Sequence, residues 1–347
     1  MNGTGRPLDH PGNSGPGLPA RYYRRLAGLL ATQGLEPDRL LGDSGVDAQR
    51  LLAADGEISL GEANALALSA LRLSARDDLG LLLGSALEPA SHDVLGLAMQ
   101  QASCLDTALR LAARYFSLLS PGFRMRYRLQ EETAELTIYP SLAFSPDALR
   151  LHLDTVLIAT LSEVSFLLGQ RHVPNSVDLG WERPHYARRY ADLIGRPPSF
   201  SALPFPGIRL CFSASQVLRP RPEANAPSLA AARQRCEAQV QRTLSRHRLS
   251  DWTRMMLHHS AHGIPRKQEL AQLLGISTRS FTRYLSREGN TFRQLSDDTR
   301  QQAAEVALQH GEESITALAH RLGFSDGANF SRAFRRRHGC APRSFRR

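Results

Sequence analysis

The chain has 347 residues, 42% of them hydrophobic, a length that allows two globular domains of about 150 residues and excludes a peptide hormone or a large multidomain assembly. Its formal net charge of +10 is unevenly distributed, because residues 246–347 contain 18 Arg and Lys against 9 Asp and Glu. This asymmetry indicates an anionic partner, a nucleic acid or a membrane surface, that binds one domain only.

The N-terminal elements follow from glycine content and hydrophobic spacing. Residues 1–18 contain five glycines and three prolines, which predicts a disordered tail. From Arg21 to about Ser120 apolar residues recur at spacings of three and four, which predicts helices. Over Phe123–Ile138 the period changes to two on either side of a polar turn, which predicts a β-hairpin.

A helix, a strand and a proline-rich segment come next. The apolar spacing predicts a helix over Pro146–Leu168 and a strand over Ser176–Leu179. Clustered prolines then break regular structure, and Arg219–Pro227 is interpreted as an interdomain linker. Helices predicted over Ser228–His247 and Asp251–His262 lead into a basic region that is predicted to be wholly helical.

The basic region contains an internal repeat. The repeated stretches are Ala271–Ser277 with Phe281–Leu285, and Ala319–Ser325 with Phe330–Phe334. In each copy a small Ala allows close helix approach, and Gly275 or Gly323 supplies the left-handed backbone that ends the first helix. Ser or Asp then caps the second helix, which aromatic and apolar residues anchor at a spacing of four. These are the parts of a helix-turn-helix unit, and two copies are a strong signal.

The repeat resembles the DNA-binding domain of the AraC family of bacterial transcription regulators over residues 264–347. Its second unit, Leu322–Gly339 with Pro342 and Phe345 beyond, looks like the signature segment of that family. Residues 21–220 are similar in layout to the arabinose-binding-type regulatory domain of one branch of the family. That second similarity rests on three segments, which are Leu79–Gly84, Ala113–Pro121 and Phe205–Phe212.

The resemblance implies a transcription regulator, more commonly an activator, that binds promoter DNA, contacts RNA polymerase and responds to a small-molecule effector. We expect an α+β N-terminal domain, helix-rich with a β-hairpin, joined to an all-α C-terminal domain with two helix-turn-helix units. The expected divisions are a tail (1–18), a ligand-sensing and dimerisation domain (19–220), a linker with connecting helices (221–263) and a DNA-binding domain (264–347).

On the first recognition helix, Arg279, Thr282 and Arg283 point outward because Phe281 and Leu285 face inward. The resemblance places these three outward residues at base-contacting positions of the family. The Arg283 guanidinium is the strongest base-reading candidate, since its fork can bind O6 and N7 of guanine.

The second recognition helix departs from the family pattern, because Gly327 and Ala328 are too short to reach bases. Asn329 remains a candidate for reading adenine and Arg332 for reading guanine. Asp326 is expected to cap this helix. The phosphate-contacting candidates are Ser277, Ser325, Arg335 and Arg336.

Between the two units, Phe292–Gln309 is predicted to form one helix about 27 Å long. Two readers on one chain can occupy successive major grooves, about 34 Å apart, so one monomer has an asymmetric DNA site. A homodimer through the N-terminal domain would place two such sites in tandem or inverted. No apolar run is long enough to span a bilayer, and we expect a cytoplasmic protein that binds the nucleoid.

Catalysis and metal binding are not predicted. The four cysteines are far apart, and His258, His259 and His262 are interpreted as a surface cluster rather than a metal site. We expect no cofactor. A DNA-repair or modifying enzyme with the same DNA-binding module stays an alternative, although scattered cysteines argue against an activated thiol. A second alternative is an architectural DNA binder without an effector.

The sequence does not identify the ligand of the N-terminal domain. The apolar faces of the hairpin Phe123–Ile138 and the helix Pro146–Leu168 either enclose a pocket or form plain core. Arg124, Arg126 and Arg128 on the other face of the hairpin are interpreted as a solvated surface, with an acidic ligand as the alternative.

Overall fold

The computed structural model describes residues 17–53, 56–88, 92–169, 174–243, 249–258, 265–274, 276–310 and 314–345. Most of the predicted tail, together with His259 and His262, lies outside the described residues. Within them, the N-terminal region combines helices with small antiparallel sheets, and the C-terminal region is helical. The predicted fold class is confirmed.

The first part of the chain is a layer of short helices. They are α1 (Ala20–Ala31), α2 (Pro37–Ser44), α3 (Ala48–Leu52), α4 (Leu60–Ser74), α5 (Leu79–Ala86), α6 (Asp93–Gln100) and α7 (Leu105–Tyr115). Helix α4 begins with a reciprocal capping box, in which the Ser59 hydroxyl accepts from Glu62 N and the Glu62 carboxylate accepts from Ser59 N. Strand β1 (Leu18–Pro19) pairs antiparallel with β2 (Glu57–Ile58).

A four-stranded antiparallel sheet follows this layer. Its strands are β3 (Phe123–Gln130), β4 (Thr133–Pro140), β5 (Ser176–Leu179) and β6 (Ile208–Ser213), in the order β3-β4-β6-β5. Along β3, Phe123 and Met125 are buried whereas Arg124 and Arg128 are exposed. The predicted hairpin and β5 are confirmed, while the strand β6 was not among the predicted elements.

Helix α8 (Pro146–Leu167) packs against α5 at unusually close range. A Cβ atom added to Gly80 would lie 2.3 Å from the carbonyl oxygen of Leu151, and one added to Gly84 would lie 2.7 Å from that of Thr155. The two backbones therefore approach closely because both α5 positions lack a side chain. Helices α9 (Ala187–Ile194) and α10 (Ala214–Val217) complete the N-terminal region.

The predicted linker segment is held against the N-terminal helices by hydrogen bonds. The Arg221 guanidinium donates to the carbonyl oxygens of Gln100 at 3.0 Å and Ala102 at 3.1 Å. Helix α11 (Ala226–Thr243) begins two residues before the predicted start and packs against α6, with Cys236 fully buried. This stretch is thus fixed to the surface of the N-terminal region along the part that the structure describes.

The C-terminal region contains helices and, among its described residues, no strands. The helices are α12 (Leu249–His258), α13 (Lys267–Leu273), α14 (Thr278–Arg287), α15 (Phe292–His310), α16 (Ile315–Arg321), α17 (Gly327–His338) and α18 (Pro342–Phe345). Phe281 and Leu285 belong to an apolar core that is continuous with that of the N-terminal region. Phe330 and Phe334 belong to a second, separate core.

Candidate nucleic-acid interface and ligand cavity

The first helix-turn-helix unit consists of α13 and α14. Helix α14 is capped by Ser277, whose hydroxyl accepts a hydrogen bond from Ser280 N at 3.1 Å. Phe281 and Leu285, one turn apart, are fully buried, as the sequence predicts. One face of α14 is therefore anchored in the core and the opposite face is exposed to solvent.

The exposed face of α14 carries three of the predicted base-reading side chains. Arg279, Thr282 and Arg283 are all exposed. The Thr282 hydroxyl donates to the carbonyl oxygen of Thr278 at 2.9 Å, and its oxygen can still accept a hydrogen bond. Within the described part of the chain, no carboxylate forms an ion pair with Arg279 or Arg283. Both guanidinium groups are thus available to a base edge or a phosphate.

The second unit consists of α16 and α17. Gly323 follows α16 with a φ of 78°, the left-handed conformation that glycine adopts without strain. Its counterpart Gly275 lies outside the described residues. The Asp326 carboxylate caps α17 by accepting from Asn329 N at 2.7 Å, as predicted, and this bond holds the pKa of Asp326 below its usual value.

Asn329 and Arg332 belong to a local network at the start of α17. The Asn329 amide nitrogen donates to Ser325 Oγ at 2.6 Å and to Asp326 Oδ2 at 2.8 Å. Arg332 in turn donates to the carbonyl oxygen of the Asn329 side chain. The Asn329 carboxamide is thus fully engaged, so reading adenine with it requires this network to open. The exposed Arg332 guanidinium uses only some of its N–H donors in this network, and the others can bind DNA.

The four phosphate-contacting candidates are all exposed, namely Ser277, Ser325, Arg335 and Arg336. Two of them also have local roles, since the Ser277 hydroxyl caps α14 and the Ser325 hydroxyl belongs to the network of Asn329. The neighbouring Arg337 forms a 3.1 Å ion pair with Asp298 of α15, the helix that joins the two units. This ion pair connects α17 to α15.

Helix α12 connects the first helix-turn-helix unit to the sheet. The indole Nε1 of Trp252 donates to the carbonyl oxygen of Pro140, at the end of β4, at 2.6 Å. The same indole meets the Phe281 ring edge-on, with centroids 6.5 Å apart. Tyr139 adds a hydrogen bond to the carbonyl oxygen of Leu273 in α13. The sheet is therefore in direct contact with α13 and is linked to α14 through Trp252.

An apolar cavity of about 110 Å³ lies between the hairpin, α1 and α8, at the place where the sequence left pocket and plain core as alternatives. Its apolar lining includes Leu26, Leu109, Phe116, Phe123, Met125 and Val156. The structure therefore contains a cavity of a type that small molecules occupy, because such sites are mostly apolar with few polar groups.

Two polar side chains in the cavity lining lack hydrogen-bond partners. Glu163 is 4% exposed, and neither carboxylate oxygen has a partner among the described residues. Nε2 of His92 lies 3.8 Å from Glu163 Oε2, and Nδ1 of His92 is also unpartnered. Burial raises the pKa of Glu163 to about 7 and lowers that of His92 to about 4. This pair was not predicted from the sequence, although an ionisable residue inside an apolar helical pattern was an available signal.

In the part of the chain that the structure describes, neither disulfides nor clustered metal ligands are present. Cys104, Cys211, Cys236 and Cys340 are free thiols. The described residues contain no group of three or more potential metal ligands. Among the helices they form, none has both the length and the apolar character needed to cross a membrane.

Comparison with known proteins adds the family context. Residues 34–220 match the family described as the arabinose-binding domain of AraC transcription regulators, N-terminal, and residues 270–347 match a helix-turn-helix domain family. The ornithine utilization regulator of Pseudomonas aeruginosa is 29% identical and covers 95% of this chain and 96% of its own length. The transcriptional activator RhaS of Escherichia coli is 36% identical over 22% of this chain and 28% of its own length. The crystal structure of the regulator CdpR from Pseudomonas aeruginosa aligns with a TM-score of 0.47 and 22% identity, covering 93% of this chain and 97% of that one.

Proposed function

The chain belongs to the AraC family of transcription regulators, and on that basis we propose that it is a sequence-specific activator controlled by a small-molecule effector. Family membership makes it a transcription regulator with an N-terminal ligand-binding domain, and not an enzyme. The activator role is supported by RhaS, a relative named as an activator, which is 36% identical over 78 residues. Promoter DNA and RNA polymerase are the proposed macromolecular partners, which implies a cytoplasmic protein bound to the nucleoid.

We propose the domain divisions that the sequence predicts: a tail at 1–18, a ligand-sensing and dimerisation domain at 19–220, a linker with connecting helices at 221–263 and a DNA-binding domain at 264–347. The family matches at residues 34–220 and 270–347 support the two large domains. Trp252 shows that the connecting helix α12 also contributes to the core of the first helix-turn-helix unit.

The observation that carries DNA binding is the doubled recognition helix. In α14 and α17 alike, a fully buried phenylalanine is followed two residues later by an exposed arginine, Phe281 by Arg283 and Phe330 by Arg332. Buried aromatic anchors fix the helix while the arginine projects from the opposite face, and an arginine fork distinguishes guanine in the major groove. We assign base reading to Arg279, Thr282, Arg283, Asn329 and Arg332, and phosphate contact to Ser277, Ser325, Arg335 and Arg336.

The spacer helix supports placing both readers on one duplex. Helix α15 has 19 residues and is therefore about 28 Å long, close to the roughly 34 Å between successive major grooves. One monomer would bind an asymmetric site, and a homodimer through the N-terminal domain would bind two such sites. Sedimentation of the purified protein tests the dimer.

Selection of the full-length protein from a randomised duplex pool at about 150 mM salt tests sequence reading, since that ionic strength already screens weak phosphate contacts. We expect an enriched asymmetric motif that spans two helical turns. Arg283→Ala should weaken binding to that motif by about 1–3 kcal/mol and relax the preference at one base pair. Arg283→Lys is the matched control for charge, because it keeps the positive charge but lacks the fork, so it should lose the base preference and keep nonspecific affinity.

If Arg283→Ala weakens selected and scrambled duplexes equally, the base-reading role is wrong. Absence of any enriched motif, with and without added cell extract, would favour the architectural alternative. The activator role is tested by transcription in vitro from the selected site with bacterial RNA polymerase, where we expect more transcript and where repression would contradict the role.

Effector control is supported by a continuous path of contacts. Phe123, which lines the cavity, pairs directly with Pro140 across β3 and β4, and the carbonyl oxygen of Pro140 accepts from Trp252. Trp252 packs on Phe281 of the first recognition helix. A ligand that shifts the cavity wall would therefore act on the element that orients α14, and such a chain of packed groups can carry coupling between two sites.

A further inference from the structure

Among the described residues, three buried side-chain atoms at the polar end of the cavity have no hydrogen-bond partner. Two are the carboxylate oxygens of Glu163, a side chain that is 6% exposed. The third is Nδ1 of His92, which is an acceptor when the neutral imidazole has its proton on Nε2, the nitrogen that faces Glu163. Buried polar atoms normally have partners, so three unpartnered acceptors in one cavity indicate a missing donor.

Other polar side chains of the cavity lining have hydrogen-bond partners. The His152 ring is bonded to the carbonyl oxygen of Ala148 through Nδ1 and to the Tyr23 hydroxyl at 2.6 Å through Nε2. The Thr155 hydroxyl donates to the carbonyl oxygen of Leu151 at 2.8 Å. Among the described residues that line the cavity, the buried side-chain atoms without a hydrogen-bond partner are those of Glu163 and His92.

The cavity extends along α8 and suits an elongated apolar occupant. His152 and Glu163 both line it and lie 11 residues apart on α8, which corresponds to about 16 Å along the helix. The volume of about 110 Å³ far exceeds the roughly 10–15 Å³ that one water needs, and apolar cavities stay dry. Water at the polar end would leave most of the cavity empty.

Charge selects the polar group of the occupant. Once Glu163 is ionised, a carboxylate ligand would meet its like charge, whereas an ammonium group would be attracted to it and would stabilise the ionised form. Two cations act on this end of the cavity, because the charge of Arg221 favours ionised Glu163 and that of Arg21 lowers the pKa of His92. Both lie outside the lining and donate to main-chain carbonyl oxygens. An ammonium group has three donors and no acceptor, which matches the three unpartnered acceptors in number and kind.

We propose that this cavity binds a primary alkyl amine, with the ammonium group on Glu163 and His92 and the hydrocarbon chain along α8. This inference rests on the proposed function, since it names the chemical class of the effector that the N-terminal domain would bind.

Calorimetric titration of the full-length protein at pH 8 with octylamine, octanol and octanoate tests the ligand class. We expect octylamine to bind at least tenfold more tightly than either other probe. Glu163→Gln should weaken octylamine binding at least tenfold and leave octanol binding unchanged. Glu182→Gln is the matched control, because it removes the same charge from an exposed position outside the lining and should bind octylamine as the wild type does.

Tighter binding of octanoate than of octylamine would overturn the proposal, and so would equal binding of octylamine by wild type and Glu163→Gln. Should Glu163→Gln fail to fold, Ala159→Leu serves instead, because it fills the apolar part of the cavity and should weaken octylamine at least tenfold. Binding of none of the three probes, together with an enriched DNA motif, refutes the amine class and leaves DNA binding intact. Octylamine binding without any enriched motif supports the amine class and contradicts sequence reading.

Discussion

At the scale of single residues, Glu163 is expected to make the stability of the protein depend on pH. Burial raises its pKa from the usual 4.5 to about 7, so the native state holds this proton over a window in which the unfolded chain has lost it. The free energy of unfolding therefore has this contribution in full below pH 4.5 and loses it as pH rises through 7. The loss amounts to about 3 kcal/mol, and denaturant unfolding of wild type and Glu163→Gln between pH 4.5 and 8 measures it.

The difference between the two unfolding profiles isolates Glu163, because other buried acids such as Asp154 contribute equally to both. Glu182→Gln is again the control, since its exposed side chain should leave the pH profile unchanged. Parallel profiles for wild type and Glu163→Gln would show that Glu163 is solvated in the native protein.

Single residues of the DNA-binding surface were partly predictable from the sequence. The exposure of Arg279 and Arg283 follows from the burial of Phe281, because helical spacing fixes which face each residue occupies. The engagement of the Asn329 carboxamide does not follow from spacing, since it depends on the rotamers of several short polar side chains. Their roles toward DNA stay predictions.

At the scale of helices and strands, the contact between α5 and α8 is expected to be intolerant of any added atom. Gly80→Ala would place Cβ 2.3 Å from the carbonyl oxygen of Leu151, so the helices must separate, at a cost of about 1–3 kcal/mol. Gly28→Ala is the matched control, because nothing lies within 4 Å of the added Cβ in α1. There the lower backbone entropy of Ala should stabilise the protein by roughly 0.5–1 kcal/mol. Thermal unfolding measures both, and equal shifts would contradict the close packing.

The spacing of hydrophobic residues was sufficient to predict the hairpin and α8, but β6 was not predicted. Ile208, Leu210 and Phe212 are fully buried and alternate with Arg209 and Cys211, which is the pattern of a strand. This strand was not predicted because the surrounding prolines favour irregular structure throughout that segment. The pairing of β6 between β4 and β5 depends on contacts distant in sequence, which no local pattern encodes.

At the scale of the whole molecule, the Trp252 indole is expected to transmit ligand binding to the DNA-binding surface. Trp252→Phe keeps an aromatic ring against Phe281 and removes the hydrogen bond to Pro140. Loss of such a bond weakens coupling by about 1 kcal/mol, so octylamine should alter the affinity for the selected duplex roughly fivefold less than in wild type. DNA binding titrated with and without octylamine measures this coupling.

The other tryptophan supplies the control for this substitution. Trp181→Phe makes the same chemical change at a buried site whose indole nitrogen has no hydrogen-bond partner among the described residues, so coupling should persist. Equal coupling in wild type and Trp252→Phe would exclude this route. The contact itself was beyond sequence analysis, because Pro140 and Trp252 lie in regions that local patterns treat independently.

The core of the first helix-turn-helix unit is continuous with that of the N-terminal region. This continuity limits where the chain can be cut to transfer the DNA-binding domain to another protein. A chimera joined at residue 264 would separate Trp252 from Phe281 and expose apolar surface around the first reader, whereas the second reader would keep its own core. A junction before Leu249 keeps α12 with its partners. In a chimera whose C-terminal fragment begins after α12, only the second helix-turn-helix unit would thus contribute DNA sequence specificity.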